Sequence, residues 1–251
     1  MSEGLHGKRA LVTGGAAGIG LAAARMLAAR GAQVAIIDRD QSALDAADGF
    51  AASACADVRD TLAIRAAIGG VIGRLGGLDI LVNCAGVDLE APTADMSDEA
   101  WERVLDINLT GTMRICRAAY PALAASGGAG GAAIVNLSSG AGLSPLPERA
   151  AYCSAKAGLV MFSKSLAMEW AKDGIRVNAI CPGAVDTALF RTSYESHPDP
   201  DARLEQIRAR YALGRIAGPD ELAEAIVWLA SPAASYVTGI ALAVDGGRTF
   251  H

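Results

Sequence analysis

A tyrosine and a lysine four residues apart form the pair in this chain that is best suited to proton transfer. Tyr152 and Lys156 lie at the start of an apolar, helix-forming segment. Positions i and i+4 share one face of a helix, and a nearby cation favours the ionised form of a phenol. An isolated tyrosine has a pKa of about 10, so the pair predicts a general acid/base whose pKa is lowered by Lys156. Two unrelated residues of a helix can have the same spacing, and other motifs are needed to decide.

A glycine-rich turn near the N-terminus predicts a phosphate-binding site. An apolar run at 10–12 leads into Thr-Gly-Gly-Ala-Ala-Gly-Ile-Gly, which ends at Gly20 and is followed by helix-forming sequence. A strand, turn and helix in this order offer free N–H groups and the positive end of a helix dipole to a pyrophosphate. We expect Gly14 to allow the tight turn, Gly18 to allow close approach of phosphate, and Gly20 to let the helix pack on the sheet. A plain glycine-rich turn is the alternative.

An acidic residue after the next apolar run indicates which cofactor is preferred. Asp38 follows the run at 33–37, near the place where an acid meets the adenosine ribose in a βαβ nucleotide fold. A carboxylate there accepts hydrogen bonds from a free 2′-hydroxyl and repels a 2′-phosphate. We therefore expect NAD rather than NADP. Arg39 is the competing feature because an arginine can hold a 2′-phosphate, and a helix cap is the alternative role of Asp38.

Further short motifs follow along the chain. In order they are Asp57–Val58, the run Asn83, Cys84, Ala85 and Gly86, then Asn108, Ser139, and Pro182–Gly183 followed by Thr187. Together with the two motifs above, they make the chain resemble the short-chain dehydrogenase/reductase family from about residue 8 to residue 247. Cys84 departs from the family pattern, which has a second asparagine at that place. Ser138 is a neighbouring alternative to Ser139.

The resemblance implies specific residues and roles. The implied catalytic residues are Asn108, Ser139, Tyr152 and Lys156. The implied cofactor contacts are Gly14, Gly18, Ile19, Gly20, Asp38, Asp57, Val58, Asn83, Ala85, Gly86, Tyr152, Lys156, Pro182, Gly183, Val185 and Thr187. In this family the nicotinamide exchanges hydride with carbon, the tyrosine exchanges a proton with the substrate oxygen, and the serine stabilises charge on that oxygen. Lys156 would also bind the nicotinamide ribose. Asn108 would hold a water linking Lys156 to solvent, unless it only braces two elements.

Composition argues against several other classes of function. The chain has 251 residues and a net charge of −5, which disfavours nucleic acid or an anionic membrane as the main partner. Its five cysteines are scattered, without a Cys-x-x-Cys pair, as in reduced cytosolic proteins. Its three histidines lack metal-ligand spacing, and no apolar run resembles a signal peptide or a membrane span. We expect a cytoplasmic protein with no bound metal, no nucleic-acid partner and no membrane partner.

Alternating apolar runs and helical segments predict an α/β fold. The expected strands are 9–13, 33–37, 52–56, 80–83, 132–137, 176–181 and 240–244. Their near-continuous apolar character is typical of buried parallel strands. Right-handed crossovers would then give one Rossmann-type, doubly wound parallel sheet of about seven strands with helices on both faces. No linker divides the chain, so residues 1–251 are expected to form a single domain, and the glycine-rich stretch at 126–131 is expected to be a turn.

A charged and aromatic segment lies within 187–214, and the resemblance to the family implies that it forms a lid over the substrate pocket. The segment is long for a loop in a compact domain, and a closing lid excludes water from a site; a solvated surface loop is the alternative. The pocket wall is expected from 88–95, 140–148 and this lid, with mostly apolar candidates, namely Leu143, Leu146, Pro147, Leu189, Phe190 and Tyr194. Arg149 and Arg191 could meet an anion or face solvent. His197 is expected on the lid surface.

Three functions are compatible with these motifs. The first is an NAD-dependent dehydrogenase of a secondary alcohol, favoured by Asp38. The second is a 3-oxoacyl-thioester reductase, which would more often use NADPH and would need a basic patch for an acidic carrier protein. The third is a nucleotide-binding regulatory protein without catalysis, which the intact Asn108, Ser139, Tyr152 and Lys156 disfavour.

The helix that carries Tyr152 predicts an oligomer. Its apolar residues, which include Leu159, Met161 and Met168, occupy more than one face, which is wider than a half-exposed helix requires. A second apolar helical segment at 98–125 could pack beside it, and a two-fold axis would pair both with their copies. In the family that the chain resembles, such an interface is common and is often doubled to a tetramer through the C-terminal strand and helix, so we expect a homotetramer, with a dimer as the fallback. Burial of the helix within its own subunit is the alternative.

Overall fold

Seven apolar runs of the sequence form one parallel sheet in the computed structural model, which describes residues 4–127, 131–195 and 197–250. The strands are β1 Arg9–Thr13, β2 Gln33–Asp38, β3 Ala52–Cys55, β4 Ile80–Asn83, β5 Ala132–Leu137, β6 Ile175–Pro182 and β7 Ala241–Val244. Every neighbouring pair is parallel, in the order β3-β2-β1-β4-β5-β6-β7. The α/β expectation is confirmed. Three of the seven strands differ from their expected bounds by one residue at one end, and β6 is longer by one residue at each end. Residues 128–130 of the expected glycine turn, the chain start at 1–3 and His251 lie outside the described residues.

Helices cover both faces of the sheet. They are α1 Gly18–Ala29, α2 Gln41–Ala46, α3 Thr61–Leu75, α4 Asp98–Leu105, α5 Gly111–Ser126, α6 Ala150–Trp170, α7 Ala188–Arg191, α8 Pro200–Arg208 and α9 Pro219–Ala230. On one face α1 and α9 bury Leu27 and Ile226 in a core with β1 and β2. On the other, α3, α5 and the end of α6 bury Ile68 and Ile115. Burial on both faces explains why the strands read as continuous apolar runs.

The strand order reverses between β1 and β4, and this reversal sets the position of the site. The two strands are neighbours, with Thr13 opposite Asn83, although the chain runs from β1 through β2 and β3 before it returns. Open parallel sheets bind ligands in the crevice beside the carboxyl ends of the strands at such a reversal. The glycine turn after β1 and the Asn-Cys-Ala-Gly run after β4 therefore meet there.

Two local features shape the rim of this crevice. A π-helical turn, Asp106–Thr110, joins α4 to α5, so the apolar segment expected at 98–125 is not one regular helix. The expected lid contains two short helices, α7 and α8. Helix α8 begins after Asp199, whose carboxylate accepts a hydrogen bond from the N–H of Ala202 at 3.0 Å.

Within the described ranges, no helix has both the length and the apolar character that crossing a membrane requires.

Candidate active site

Two adjoining cavities open at the carboxyl ends of the strands. The larger has a volume of about 430 Å³ and the smaller a volume of about 240 Å³. Ile19, Gly86 and Thr187 belong to the walls of both. An extended ligand lying in both cavities would touch the glycine turn in the smaller one and Tyr152 in the larger.

The glycine turn leaves space for a phosphate group. Gly14 has a φ of 64°, a conformation that favours glycine, and a Cβ there would lie 2.7 Å from the backbone nitrogen of Ala85. A Cβ on Gly20 would lie 2.1 Å from the carbonyl oxygen of Gly14, so no other residue fits without moving the turn. Helix α1 begins at Gly18 without a side-chain cap, which leaves its first N–H groups for a ligand. This turn fits the pyrophosphate of a dinucleotide.

An acid and a cation lie side by side at the far end of the smaller cavity. One oxygen of Asp38 accepts a hydrogen bond from the N–H of Ala16 in the glycine turn at 3.2 Å, and the other accepts from the N–H of Arg39 at 2.7 Å. Asp38, Arg39, Asp57 and Val58 all line this cavity. The Asp57 carboxylate is paired with Arg59 at 2.7 Å, and that hydrogen bond holds its pKa below the ordinary value. The Asp38 carboxylate is therefore held in place by backbone donors in the wall of the smaller cavity.

Helix α6 places Tyr152 and Lys156 in the wall of the larger cavity. Burial raises the pKa of Tyr152, while the Ser139 hydroxyl and the charge of Arg149 act in the opposite direction. Lys156 is 4% exposed, and burial lowers its pKa to about 8. Its ammonium group donates to the carbonyl oxygen of Leu137 at 2.8 Å and lies 5.7 Å from the centre of the Tyr152 ring.

The expectation that Lys156 lowers the pKa of Tyr152 stays a prediction, because other groups act on the phenol in this structure. The lysine is directed to the Leu137 carbonyl oxygen, and the cation that stabilises the phenolate is Arg149, just before helix α6. Burial outweighs both favourable influences, so Tyr152 is neutral near pH 7. A neutral phenol is ready to donate a proton, and it accepts one only after it has been deprotonated.

Two adjacent serines have different environments. Ser138 is buried, and its hydroxyl donates to the carbonyl oxygen of Lys156 at 2.8 Å, which ties the end of β5 to helix α6. The oxygen of Ser139 accepts a hydrogen bond from the N–H of Ala141 at 3.1 Å at the start of a short 3₁₀ turn, Gly140–Gly142. The hydroxyl hydrogen of Ser139 can therefore be donated to the oxygen of Tyr152 or of a substrate.

Asn108 lies in the π-helical turn and is completely buried. Its amide group donates to the carbonyl oxygens of Val87 and Val104, both at 2.9 Å, and its side-chain oxygen accepts from the N–H of Val87 at 3.2 Å. These bonds tie the π turn to the loop after β4. A Cβ on Gly86 would lie 2.8 Å from the Asn108 side-chain oxygen and 3.5 Å from the Lys156 nitrogen. The side chain of Asn108 therefore braces the site, which is one of its two expected roles, and it borders Lys156.

Comparison with known proteins agrees with this geometry. A family model described as Enoyl-(Acyl carrier protein) reductase matches residues 14–249. The chain is 40% identical to 3beta-hydroxysteroid dehydrogenase 1 of Eggerthella lenta over 100% of this chain and 97% of that protein. It is 41% identical to D-threitol dehydrogenase of Mycolicibacterium smegmatis over 98% and 94% of the two chains. The aldohexose dehydrogenase of Thermoplasma acidophilum superposes with a TM-score of 0.91 at 29% identity, over 99% of this chain and 96% of that one.

The chain belongs to the short-chain dehydrogenase/reductase family. The match covers nearly the whole chain, and both curated relatives match along nearly their full length. It is therefore an oxidoreductase that acts on CH–OH groups and interconverts an alcohol and a ketone. Members of the family bind a nicotinamide cofactor, which transfers hydride. The glycine turn and the adjoining cavity leave space for such a cofactor.

Asn83, one of the expected cofactor contacts in this chain, lies away from both cavities. Asn83 is 2% exposed, and its amide nitrogen donates to the side-chain oxygen of Asn136 at 2.8 Å. Asn136 donates in turn to Ser163 of helix α6 at 2.9 Å, and Thr13 donates to Asn83 at 3.3 Å. This polar row crosses β1, β4, β5 and α6 beneath the site, so Asn83 positions the elements that carry the other residues.

The segment after β6 supplies the remaining expected contacts. Pro182 ends the strand, Gly183 and Val185 line the larger cavity, and Thr187 lines both cavities. A Cβ on Gly183 would lie 2.7 Å from the ring of Tyr211. The hydroxyl of Thr187 accepts a hydrogen bond from the N–H of Phe190 at 3.2 Å and so caps helix α7. These residues connect the cofactor cavity to the lid.

The pocket wall is more highly charged than the sequence suggested. Leu146, Pro147, Leu189 and Phe190 lie in it as expected, whereas Leu143 and Tyr194 lie outside it. Neither arginine named in advance is free, because Arg191 pairs with the exposed Asp186 at 2.8 Å and Arg149 pairs with Asp88 and Glu90. Arg203, Arg210 and Tyr211 lie in the lid segment that was expected to line the pocket, although none was named as a lining candidate, and Arg248 lies outside every expected range. The density of arginines at 203, 208 and 210 was the available signal for the first two, and no motif marked Arg248.

Proposed function

We propose that this protein is an NAD-dependent dehydrogenase that oxidises a secondary alcohol to a ketone, with Tyr152 as the general acid/base. The observation that carries the proposal is that Tyr152, Ser139 and Lys156 share the wall of one cavity, which adjoins the cradle of the glycine turn. Asp38 supports NAD because backbone donors hold its carboxylate where it would accept from a free ribose 2′-hydroxyl and repel a 2′-phosphate. Arg39 does not offer the same fixed geometry because its side chain is exposed.

The chemistry follows from these positions. A nicotinamide cofactor held by the glycine turn and the adjoining cavity would supply the hydride chemistry of the reaction. Tyr152, once deprotonated, takes the hydroxyl proton in the same oxidation and returns it in the reverse reaction. Ser139 donates a hydrogen bond to the oxygen as its charge develops. Lys156 would hold the nicotinamide ribose, and its pKa near 8 lets it exchange a proton at physiological pH.

We propose further that residues 1–251 act as a single domain whose lid lies within 187–214, and that the protein works in the cytoplasm as a homotetramer, with a dimer as the fallback. Met161 and Met168 of helix α6 support the assembly, because they are 60% and 86% exposed, and large exposed apolar side chains often mark an interface. Other apolar residues of that helix, such as Leu159, are buried within the subunit. Light scattering after size exclusion tests the assembly, and a species of one chain mass, 25.5 kDa, would contradict it.

An assay of cofactor reduction tests the proposed reaction. The purified protein would be given NAD⁺ or NADP⁺ with a panel of secondary alcohols, polyols and 3-hydroxyacyl thioesters. We expect reduction of NAD⁺ with secondary alcohols, and a kcat/KM for NAD⁺ well above that for NADP⁺. Activity confined to acyl thioesters with NADPH would replace the proposal by the reductase alternative.

A further inference from the structure

The larger cavity carries an excess of positive charge. Five cationic residues line it, namely Arg149, Lys156, Arg203, Arg210 and Arg248. Only three carboxylates belong to the same wall, namely Asp88, Glu90 and Glu148. The whole chain has a net charge of −5, so the sign of the cavity is opposite to that of the molecule. A cleft lined by one sign of charge concentrates ligands of the other sign.

Most of these cations are already engaged. Arg149 pairs with both Asp88 and Glu90, and Arg203 pairs with Glu90 at 3.1 Å. Two of the cations are bonded to neutral oxygens instead. Arg248 donates to the carbonyl oxygens of Ser144 and Pro145 at 3.0 Å each, and Lys156 donates to the carbonyl oxygen of Leu137.

Arg210 is the exception. Throughout 4–127, 131–195 and 197–250, no side chain or carbonyl oxygen forms a hydrogen bond or ion pair with its guanidinium group. Burial lowers the pKa of Arg149, and the charges of Arg203 and Arg210 lower it further. Arg210 is therefore close enough to Arg149 to act on it, and no carboxylate of the described residues forms an ion pair with Arg210.

The backbone at Arg210 is held firmly against the site. The next residue, Tyr211, accepts a hydrogen bond from the N–H of Ala184 at 2.9 Å through its hydroxyl group. The N–H of Arg210 donates to the carbonyl oxygen of Ile207 at the end of α8, at 3.1 Å. Ala184 follows the strand end that lines the same cavity. Arg210 is exposed to solvent and belongs to the cavity wall that also contains Tyr152.

We propose that the substrate is a hydroxy acid, a secondary alcohol that also bears one carboxylate, and that Arg210 binds this carboxylate while the hydroxyl group lies at Tyr152. The inference rests on the proposed function and names the substrate class of the same site. A guanidinium group matches a carboxylate through two parallel hydrogen bonds. Asp88 and Glu90 in the same wall favour a monoanion over the dianion of a phosphate monoester, because each extra negative charge meets their repulsion.

Matched pairs of substrates test this proposal. Each hydroxy acid would be compared with its methyl ester, which keeps the carbinol and removes the charge, over a series of increasing distance between hydroxyl and carboxylate. We expect at least one acid to exceed its ester in kcat/KM by about 10- to 100-fold, the range for a hydrogen bond to a charged group. Arg210→Gln should abolish that preference by raising the KM for the acid much more than the KM for the ester.

Arg208→Gln is the matched control. Arg208 ends helix α8, pairs with Glu205 at 2.5 Å and lies outside the cavity wall, so its loss changes the net charge equally without touching the site. The control should retain the preference for the acid. Cofactor affinity and melting temperature of both variants would show that the fold is intact.

The outcomes separate two failures. If the wild-type protein oxidises the esters as fast as the acids, the proposal about Arg210 is overturned and the dehydrogenase function stands. The same holds if Arg208→Gln removes the preference for the acid to the same extent as Arg210→Gln. A phosphate monoester preferred over every acid would overturn the choice of a monoanion. If no member of any pair is oxidised while other secondary alcohols are, this inference is overturned and the dehydrogenase function stands. If no alcohol of either panel is oxidised with either nicotinamide cofactor, the proposed function fails and this inference fails with it.

Discussion

Replacement of Lys156 by methionine should make the protein inactive and change how its stability depends on pH. Burial lowers the pKa of Lys156 from its ordinary value of 10.5 to about 8. A tenfold change in a protonation equilibrium is worth about 1.4 kcal/mol, so the buried ammonium group costs the folded state about 3 kcal/mol at neutral pH. Methionine has a similar length and carries no charge.

The sign of the pH dependence follows from proton binding. Because the pKa is lower in the folded state, the unfolded chain binds more protons between pH 8 and 10.5, and stability rises with pH in that window. Below about pH 8 both states are protonated and the cost is fully present. From pH 7 to pH 9, the free energy of unfolding of the wild type should rise by about 1 kcal/mol relative to Lys156→Met.

The change in relative stability between pH 7 and pH 9 isolates the effect of the lowered pKa, whereas the stability difference at a single pH contains other contributions. Lys156→Met also leaves the Leu137 carbonyl oxygen without its donor, which costs about 1–3 kcal/mol and offsets most of the gain at pH 7. That loss does not depend on pH. The neighbouring Cys84 does not interfere, because burial raises the pKa of its thiol to about 12.

Urea unfolding of both proteins at pH 7, 8 and 9, without cofactor, measures the effect. If the methionine variant is the more stable protein at pH 7, the urea midpoints of the two proteins should move closer together as pH rises. If the wild type is the more stable protein at pH 7, the two midpoints should move further apart. In either case the wild type gains relative to the variant. A difference between the two proteins that stays constant over this range would refute the argument that Lys156 is held with a lowered pKa.

Three further changes test the cofactor cradle and the reacting oxygen. Asp38→Ser should reduce kcat/KM for NAD⁺ and raise the relative use of NADP⁺, and a wild-type preference for NADP⁺ would show that Arg39 controls this end. Gly20→Ala should abolish cofactor binding measured by calorimetry, because its Cβ would lie 2.1 Å from a backbone oxygen. Gly73→Ala, where a Cβ meets nothing within 4 Å, should bind normally. Ser139→Ala should lower kcat by about 10²–10³-fold, as expected for loss of one donor to a developing oxyanion, and a loss below threefold would exclude that role.

The sequence was sufficient for the architecture because its signals are local. Each strand is a short apolar run, and burial on both faces makes such runs continuous. A side chain lies at one of the strand ends that differ from the expected bounds, the start of β7. The N–H of Ile240 donates to the side-chain oxygen of Asn178 at 3.2 Å, and β7 begins one residue later. Glycine spacing likewise predicted the turn, because Gly14 needs a positive φ.

The site was only partly predictable because its energetics depend on burial and on distant residues. The spacing of Tyr152 and Lys156 predicted their shared face, but their pKa values follow from desolvation, which spacing does not reveal. Arg149 influences Tyr152 and is itself paired with residues about sixty positions earlier. Arg210 contributes to the pocket only because the lid folds back over the end of β6. The π turn around Asn108 carried no recognisable sequence signal.

The most direct test of the account is the pair of measurements, kcat and NAD⁺ affinity, on Tyr152→Phe. Phenylalanine keeps the ring and removes the proton carrier, so we expect kcat for alcohol oxidation to fall by about 10²–10⁴-fold, the range for a general acid/base, with NAD⁺ affinity near that of the wild type. Since burial raises the pKa of Tyr152, the wild-type rate of oxidation should also increase with pH above neutrality. A Tyr152→Phe variant that keeps more than about a tenth of the wild-type kcat would contradict the assignment of Tyr152 as the proton carrier.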